Sequence, residues 1–106
     1  MKGKKMSKLN ILGQEYDFRL TTGREDDAML ENDKLLGECR FYEKEIVVYR
    51  DLRQKEYKKQ LIRHEIIHAF LHESGLEKHK FDEDLVNYIA IQFPKMLKVF
   101  KEAKGL

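Results

Sequence analysis

The run His64-Glu65-Ile66-Ile67-His68 is the part of this chain best suited to chemistry. Two histidines four residues apart stand roughly 40° apart around an α-helix and about 6 Å along it, so both imidazoles can face one ion. Glu65 follows the first histidine, where its carboxylate can reach a metal-bound water. Two neutral imidazoles hold Zn²⁺ and a carboxylate takes the proton from the water that attacks a carbonyl: this is a hydrolytic constellation. Mn²⁺, Fe²⁺ and Ni²⁺ accept similar donors, since metal choice depends on geometry and supply.

A catalytic zinc site takes three protein ligands and keeps one position for water. His72 continues the i, i+4 row, but it stands about 12 Å along the axis from His64, too far to share one ion. The remaining candidates lie downstream: His79 in a loop, then Glu83 and Asp84 at the start of the next helix. Glu83 is favoured, because residues 83, 87 and 90 share a helix face, with Asn87 placed to hydrogen-bond a ligand histidine. Asp84 and His79 stay open as alternatives. Acidic residues also collect in first helical turns because they favour the macrodipole, so most of Asp82-Glu83-Asp84 needs no metal to explain it.

The helix that must carry the motif is expected over 52–74. Asp51-Leu52-Arg53-Gln54 reads as a capping box, and Gly75 stands where a helix ends in a left-handed residue. The second half of this helix is apolar on nearly every side (Leu61, Ile62, Ile66, Ile67, Ala69, Phe70, Leu71), the pattern of a buried helix. His64, Glu65 and His68 are then polar groups in the most buried stretch of the chain, where unpaired burial is costly and a metal ion supplies the missing partner.

Other elements follow from periodicity. Tyr16, Phe18 and Leu20 alternate with Glu15, Asp17 and Arg19, which reads as a half-buried strand within 9–20, with Gly13-Gln14 turning a short hairpin. Residues 21–34 are polar, with one helical turn expected at Ala28-Met29-Leu30. Two more strands are expected at 35–42 and 45–49, joined by Glu43-Lys44. A second helix begins near Asp82 and should kink or break at Pro94, followed by a final helix to about residue 103.

The 106 residues suit one domain, 9–106, behind a disordered basic arm at 1–8. Charged residues make up 38% and apolar residues 42%, the composition of a globular chain with a charged surface. No segment reaches the length of a membrane span, and no apolar stretch follows the basic start to make a signal peptide. The single cysteine, Cys39, excludes an internal disulfide and points to the cytoplasm. Lysines crowd both ends (Lys2, Lys4, Lys5, Lys8; Lys95, Lys98, Lys101, Lys104), yet the net charge is only +2. No helix-turn-helix, cysteine cluster or aromatic–basic interleaving supports a nucleic-acid site, so these lysines read as a basic arm and a solvated helix face.

With His64-Glu65-x-x-His68, the downstream Glu83-x-x-x-Asn87 and strands before the motif, residues 36–97 resemble the zincin metallopeptidases, in the gluzincin arrangement. The stretches His64–Leu71 and Glu83–Ala90 also look like the small metallopeptidases of phages and mobile elements, relatives of the ImmA/IrrE-type proteins linked to repressor cleavage. The resemblance implies an α+β fold in which a small twisted β-sheet packs on the buried motif helix, followed by a second helix carrying a metal ligand. It implies Zn²⁺ on His64, His68 and Glu83, Glu65 as general base, and a protein or peptide substrate. The substrate would add to an edge strand, either 45–49 or its partner 37–42, with a partner protein completing the shallow cleft. Tyr88 and His79 are the candidates for stabilising the oxyanion. The alternative expectation is a non-catalytic metal-containing module that contacts a protein or nucleic acid through its basic termini.

Overall fold

The computed structural model describes residues 5–21, 36–49 and 52–106. Within these residues four strands, β1 (Lys5–Ile11), β2 (Gln14–Thr21), β3 (Gly37–Arg40) and β4 (Glu45–Tyr49), precede two helices, α1 (Lys55–Glu73) and α2 (Glu83–Glu102). The architecture is α+β, a mixed sheet ordered β1-β2-β4-β3 with the helices following it. β1 and β2 form an antiparallel hairpin, β4 runs parallel to β2, and β3 pairs antiparallel with β4. Residues 22–35, with the helical turn expected at 28–30, lie outside the described residues.

Several expected boundaries move. β1 begins at Lys5, inside the stretch expected to be a disordered arm, because its backbone pairs with β2 from Lys5↔Leu20 to Ile11↔Gln14. Lys8 also forms an ion pair with its cross-strand neighbour Asp17. The hairpin turns at Leu12-Gly13 rather than Gly13-Gln14: both residues have positive φ (51° and 89°), and Asn10 Oδ1 accepts from Gly13 N at 2.9 Å. β4, expected as a possible edge, lies inside the sheet between β2 and β3. Among the described residues β3 is therefore the edge on that side.

The sheet packs on α1 through Tyr16, Ile46 and Ile11, which meet Ala69, with Leu9, Phe18, Cys39 and Ile66 around them. Full burial of an isoleucine such as Ile11 or Ile46 contributes about 1.5–3 kcal/mol. Tyr16 is fully buried, and its hydroxyl donates to Glu73 Oε2 at 2.6 Å, where Lys44 also pairs. This fastens β2 and the β3–β4 turn to the end of α1. Burial and the Glu73 carboxylate push the Tyr16 phenol well above its ordinary range.

α1 starts three residues later than expected. Gln54 occupies the N-cap position without a side-chain cap, and Asp51 lies outside the described residues. The helix ends as expected: Gly75 N–H donates to His72 O, Leu76 N–H to Leu71 O, and Gly75 takes φ +77°. Its buried residues are Glu65, His68 and Ala69. The apolar side chains expected to be buried all round instead form an open groove with α2, of about 400 Å³, where Ile66, Ile67 and Phe70 face Ile89 and Phe93. Phe70 stays 41% exposed there.

α2 does not break at Pro94 but runs through it to Glu102. Proline lacks the N–H that would bond the carbonyl four residues back, that of Ala90. Arg63 on α1 fills the vacancy, with Nε donating to Ala90 O at 2.7 Å. The carbonyl that would be orphaned thereby becomes a hydrogen-bonded link between the two helices. Among the described residues no helix is long and apolar enough to cross a membrane.

Candidate metal centre

Three elements build the site. α1 presents His64, Glu65 and His68. The turn after α1 supplies a backbone carbonyl at Lys80. α2 begins with Glu83 directly after its N-cap, Asp82, whose Oδ1 accepts from Leu85 N at 3.1 Å. The cap sets where α2 starts, and so where Glu83 points.

His64 Nε2, His68 Nε2 and a Glu83 carboxylate oxygen converge. The two imidazole nitrogens are 3.2 Å apart, and Glu83 Oε1 is 2.9 Å from His64 and 3.2 Å from His68. These three residues form a group whose ligand atoms lie within 4.8 Å of one another. Donors held about 2.0–2.1 Å from a tetrahedral ion stand roughly 3.3 Å from one another. The three separations therefore fit a zinc-sized ion with little movement.

The second nitrogen of His68 decides which donor faces the cleft. His68 Nδ1 lies 2.5 Å from the Lys80 carbonyl oxygen, which can only accept. Nδ1 must carry the proton, so in the neutral imidazole Nε2 keeps its lone pair and points at His64 and Glu83. This is the arrangement a metal-binding histidine needs. The role expected of Asn87 thus falls to a main-chain carbonyl. Asn87 is exposed and, among the described residues, makes no hydrogen bond to either histidine.

Glu65 is 7% exposed, and its carboxylate sits against the edge strand. A Cβ placed on Gly37 would stand 3.1 Å from Glu65 Oε2, so only glycine leaves the carboxylate this position. Burial, followed by the charges of Glu83 and Glu38, pushes the Glu65 carboxyl up to about 8. A carboxylate held this way, beside a convergent His-His-Glu set, is placed to gain from a nearby cation.

The site opens into a cleft of about 200 Å³, lined by Gly37, Glu38 and Cys39 of β3 and by the rings of Phe41 and Phe81. Tyr49 N–H donates to Leu36 O at 2.8 Å, which sets the antiparallel ladder with β4. In that register Gly37 and Cys39 take the positions that do not hydrogen-bond β4, so their N–H and C=O groups face away from β4, toward the side that no other described strand occupies. Burial and the nearby carboxylates of Glu65, Glu73 and Glu38 push the Cys39 thiol up to about 12, which makes it a weak nucleophile.

The other candidates fall elsewhere. Asp84 is exposed on α2, outside the converging group. His79 is exposed in the connecting turn, 4.0 Å from Asp82. His72 stacks on Phe41 at 4.5 Å. Tyr88 is 60% exposed. Sequence reasoning missed Lys80, Gly37, Phe41 and Phe81. A backbone carbonyl leaves no side-chain signature, but a glycine inside a strand pattern does signal a close approach. No family model, curated protein sequence or solved structure matches this chain.

Proposed function

We propose that this protein is a zinc-dependent peptidase with a zincin-like fold that works in the cytoplasm on a protein or peptide substrate. The observation that carries this reading is the convergence of His64 Nε2, His68 Nε2 and Glu83 Oε1 at 2.9–3.2 Å, with the buried Glu65 one residue along the same helix. Zn²⁺ held by His64, His68 and Glu83 would supply Lewis acidity toward a peptide carbonyl and toward the attacking water.

The chain's own groups do the rest. The Lys80 carbonyl holds the proton on His68 Nδ1 and so keeps Nε2 free to bind. Glu65 takes the proton of the attacking water on a carboxylate oxygen and returns it to the departing amine nitrogen. The outward N–H and C=O groups of Gly37 and Cys39 pair with the backbone of an extended substrate, laying its scissile bond over the cleft. The cleft is shallow, so a partner protein that completes it fits the same scheme.

The test measures zinc by plasma mass spectrometry in the wild type, His68→Ala, Glu83→Ala and Asp84→Ala, together with hydrolysis of a peptide library by the wild type and Glu65→Gln. One zinc per wild-type chain, lost in His68→Ala and weakened only in Glu83→Ala among the acidic variants, supports the ligand set. Glu65→Gln should keep its zinc and lose turnover by a factor of at least about 100. A wild type that takes up no metal, or a Glu65→Gln that turns over normally, would end the proposal.

A further inference from the structure

His64, Glu65, His68 and Glu83 are accounted for by the proposed chemistry, but two walls of their cleft are not. Phe41 follows the edge strand β3 and Phe81 precedes the N-cap of α2, and both rings line the cleft that holds His64, Glu65, His68 and Glu83. They meet edge to face, with centroids 5.7 Å apart and planes at 64°. Phe81 is 67% exposed, so burial in the core does not explain its place. Among the described residues lining the cleft these are the only aromatic hydrocarbon walls. The rest are carboxylates, imidazoles, Gly37 and Cys39.

The wall is braced from behind. His72 stacks on Phe41 at 4.5 Å with the planes 22° apart. The Lys80 ammonium stands 5.4 Å from the Phe41 centroid and 5.3 Å from that of Phe81, and Glu77 pins it at 2.8 Å. Lys80 also gives its carbonyl to His68, so one short segment holds both the ligand histidine and the neighbouring ring. The rings are therefore fixed relative to the reacting centre. Phe41 lies two residues beyond Cys39, directly after Arg40, the last residue of β3, at the start of the turn that leads to β4. In an extended peptide paired with β3, that placement brings a side chain close to the scissile bond onto the rings.

We infer that Phe41 and Phe81 form the side-chain subsite of this cleft, and that it takes peptides with a large apolar residue next to the scissile bond. This inference rests on the peptidase reading and adds its substrate class. An apolar side chain covers exposed ring surface there, whereas a small polar one leaves the rings wet. Discrimination of about 10–200-fold is what one such pocket can supply.

The experiment uses metal-chelating probes, so it does not depend on turnover. Zinc stoichiometry is counted first. The zinc-loaded protein is then titrated calorimetrically with two peptide hydroxamates that differ only in carrying a leucyl or a glycyl residue next to the chelating group. The wild type should bind the leucyl probe at least tenfold more tightly. Phe81→Ser should shrink that ratio several-fold with its zinc unchanged, and Phe93→Ser, in the groove between the helices, should leave it as it was. Equal binding of the two probes, binding of neither by zinc-loaded protein, or an unchanged ratio in Phe81→Ser would overturn the subsite alone. Failure to hold zinc would overturn the peptidase reading and the subsite with it.

Discussion

Replacing Gly37 by alanine separates the chemistry of the site from its stability. A Cβ there would stand 3.1 Å from Glu65 Oε2 and 3.3 Å from its Cγ, so the two groups must part by a few tenths of an ångström. The strand itself raises no objection, since residue 37 sits within β3 and alanine is favoured over glycine inside a strand by roughly 0.5–1 kcal/mol. Crowding by one methyl costs about 1 kcal/mol or somewhat more, so the two effects nearly offset. The melting temperature should move by no more than a few degrees, about what 1 kcal/mol produces in a domain of this size. The proposed turnover would have no such compensation. Misplacing a reacting group by about 1 Å costs on the order of 100-fold, and a shift of a few tenths of an ångström should cost about tenfold. The assay follows kcat on a quenched fluorescent peptide, with zinc content and thermal unfolding measured on the same samples, and Gly37→Val extends the series. Wild-type kcat in both variants, with normal zinc and unfolding, would show that the edge strand does not set the position of Glu65 and would refute this account of the base.

Two further predictions do not need catalysis. Metal-free protein should lose stability as pH rises from about 4.5 to about 8, because folded Glu65, pushed up to about 8 by burial and then by Glu83 and Glu38, keeps a proton that the unfolded chain has released. The effect has an upper limit of ~5 kcal/mol, so urea midpoints should fall with pH in the wild type and much less in Glu65→Gln; a wild-type midpoint that rises with pH across that window would contradict it. Arg63→Met should destabilise by about 1.5–3 kcal/mol through loss of the hydrogen bond to Ala90 O, and by less when Pro94→Ala restores an N–H to that carbonyl. Denaturant unfolding of the four proteins in that cycle measures the coupling, and strictly additive costs would show that Arg63 does not substitute for the proline's missing donor.

What the sequence makes legible is what repeats or alternates. The i, i+4 histidines, the alternation in β2, the β-forming run of β4, Gly75 after α1 and the start of α2 at Asp82 all rest on local rules, and the structure has each element where those rules put it. The misses share a different cause: in each, a distant segment meets a local need. β1 extends back to Lys5 although Lys5-Met6-Ser7-Lys8 has no apolar alternation, because β2 offers it a pairing edge. Which of β3 and β4 is the edge depends on the parallel pairing of β4 with β2, and no local pattern encodes it. Pro94 leaves α2 whole because a side chain on another helix takes up the carbonyl it frees.

The candidate metal site shows the same division. Spacing alone puts His64 and His68 on one side of α1, and Glu83 opens α2 at the position where an acidic residue also suits the helix dipole. Two explanations therefore compete for one carboxylate. A helix N-terminus accounts for Glu83 being acidic, but it does not require Oε1 to stand 2.9 and 3.2 Å from two imidazole nitrogens that are themselves 3.2 Å apart. Nor does it account for the proton that the Lys80 carbonyl holds on the far side of His68, which leaves that nitrogen bare toward the carboxylate. A carboxylate oxygen facing a bare ring nitrogen is repelled unless a proton or a cation lies between them. His64 can lend one proton, which satisfies one of the two imidazole–carboxylate contacts. A single ion at the centre of the three donors would satisfy both, along with the contact between the histidines, and that is the physical ground for proposing a metal here in addition to the dipole.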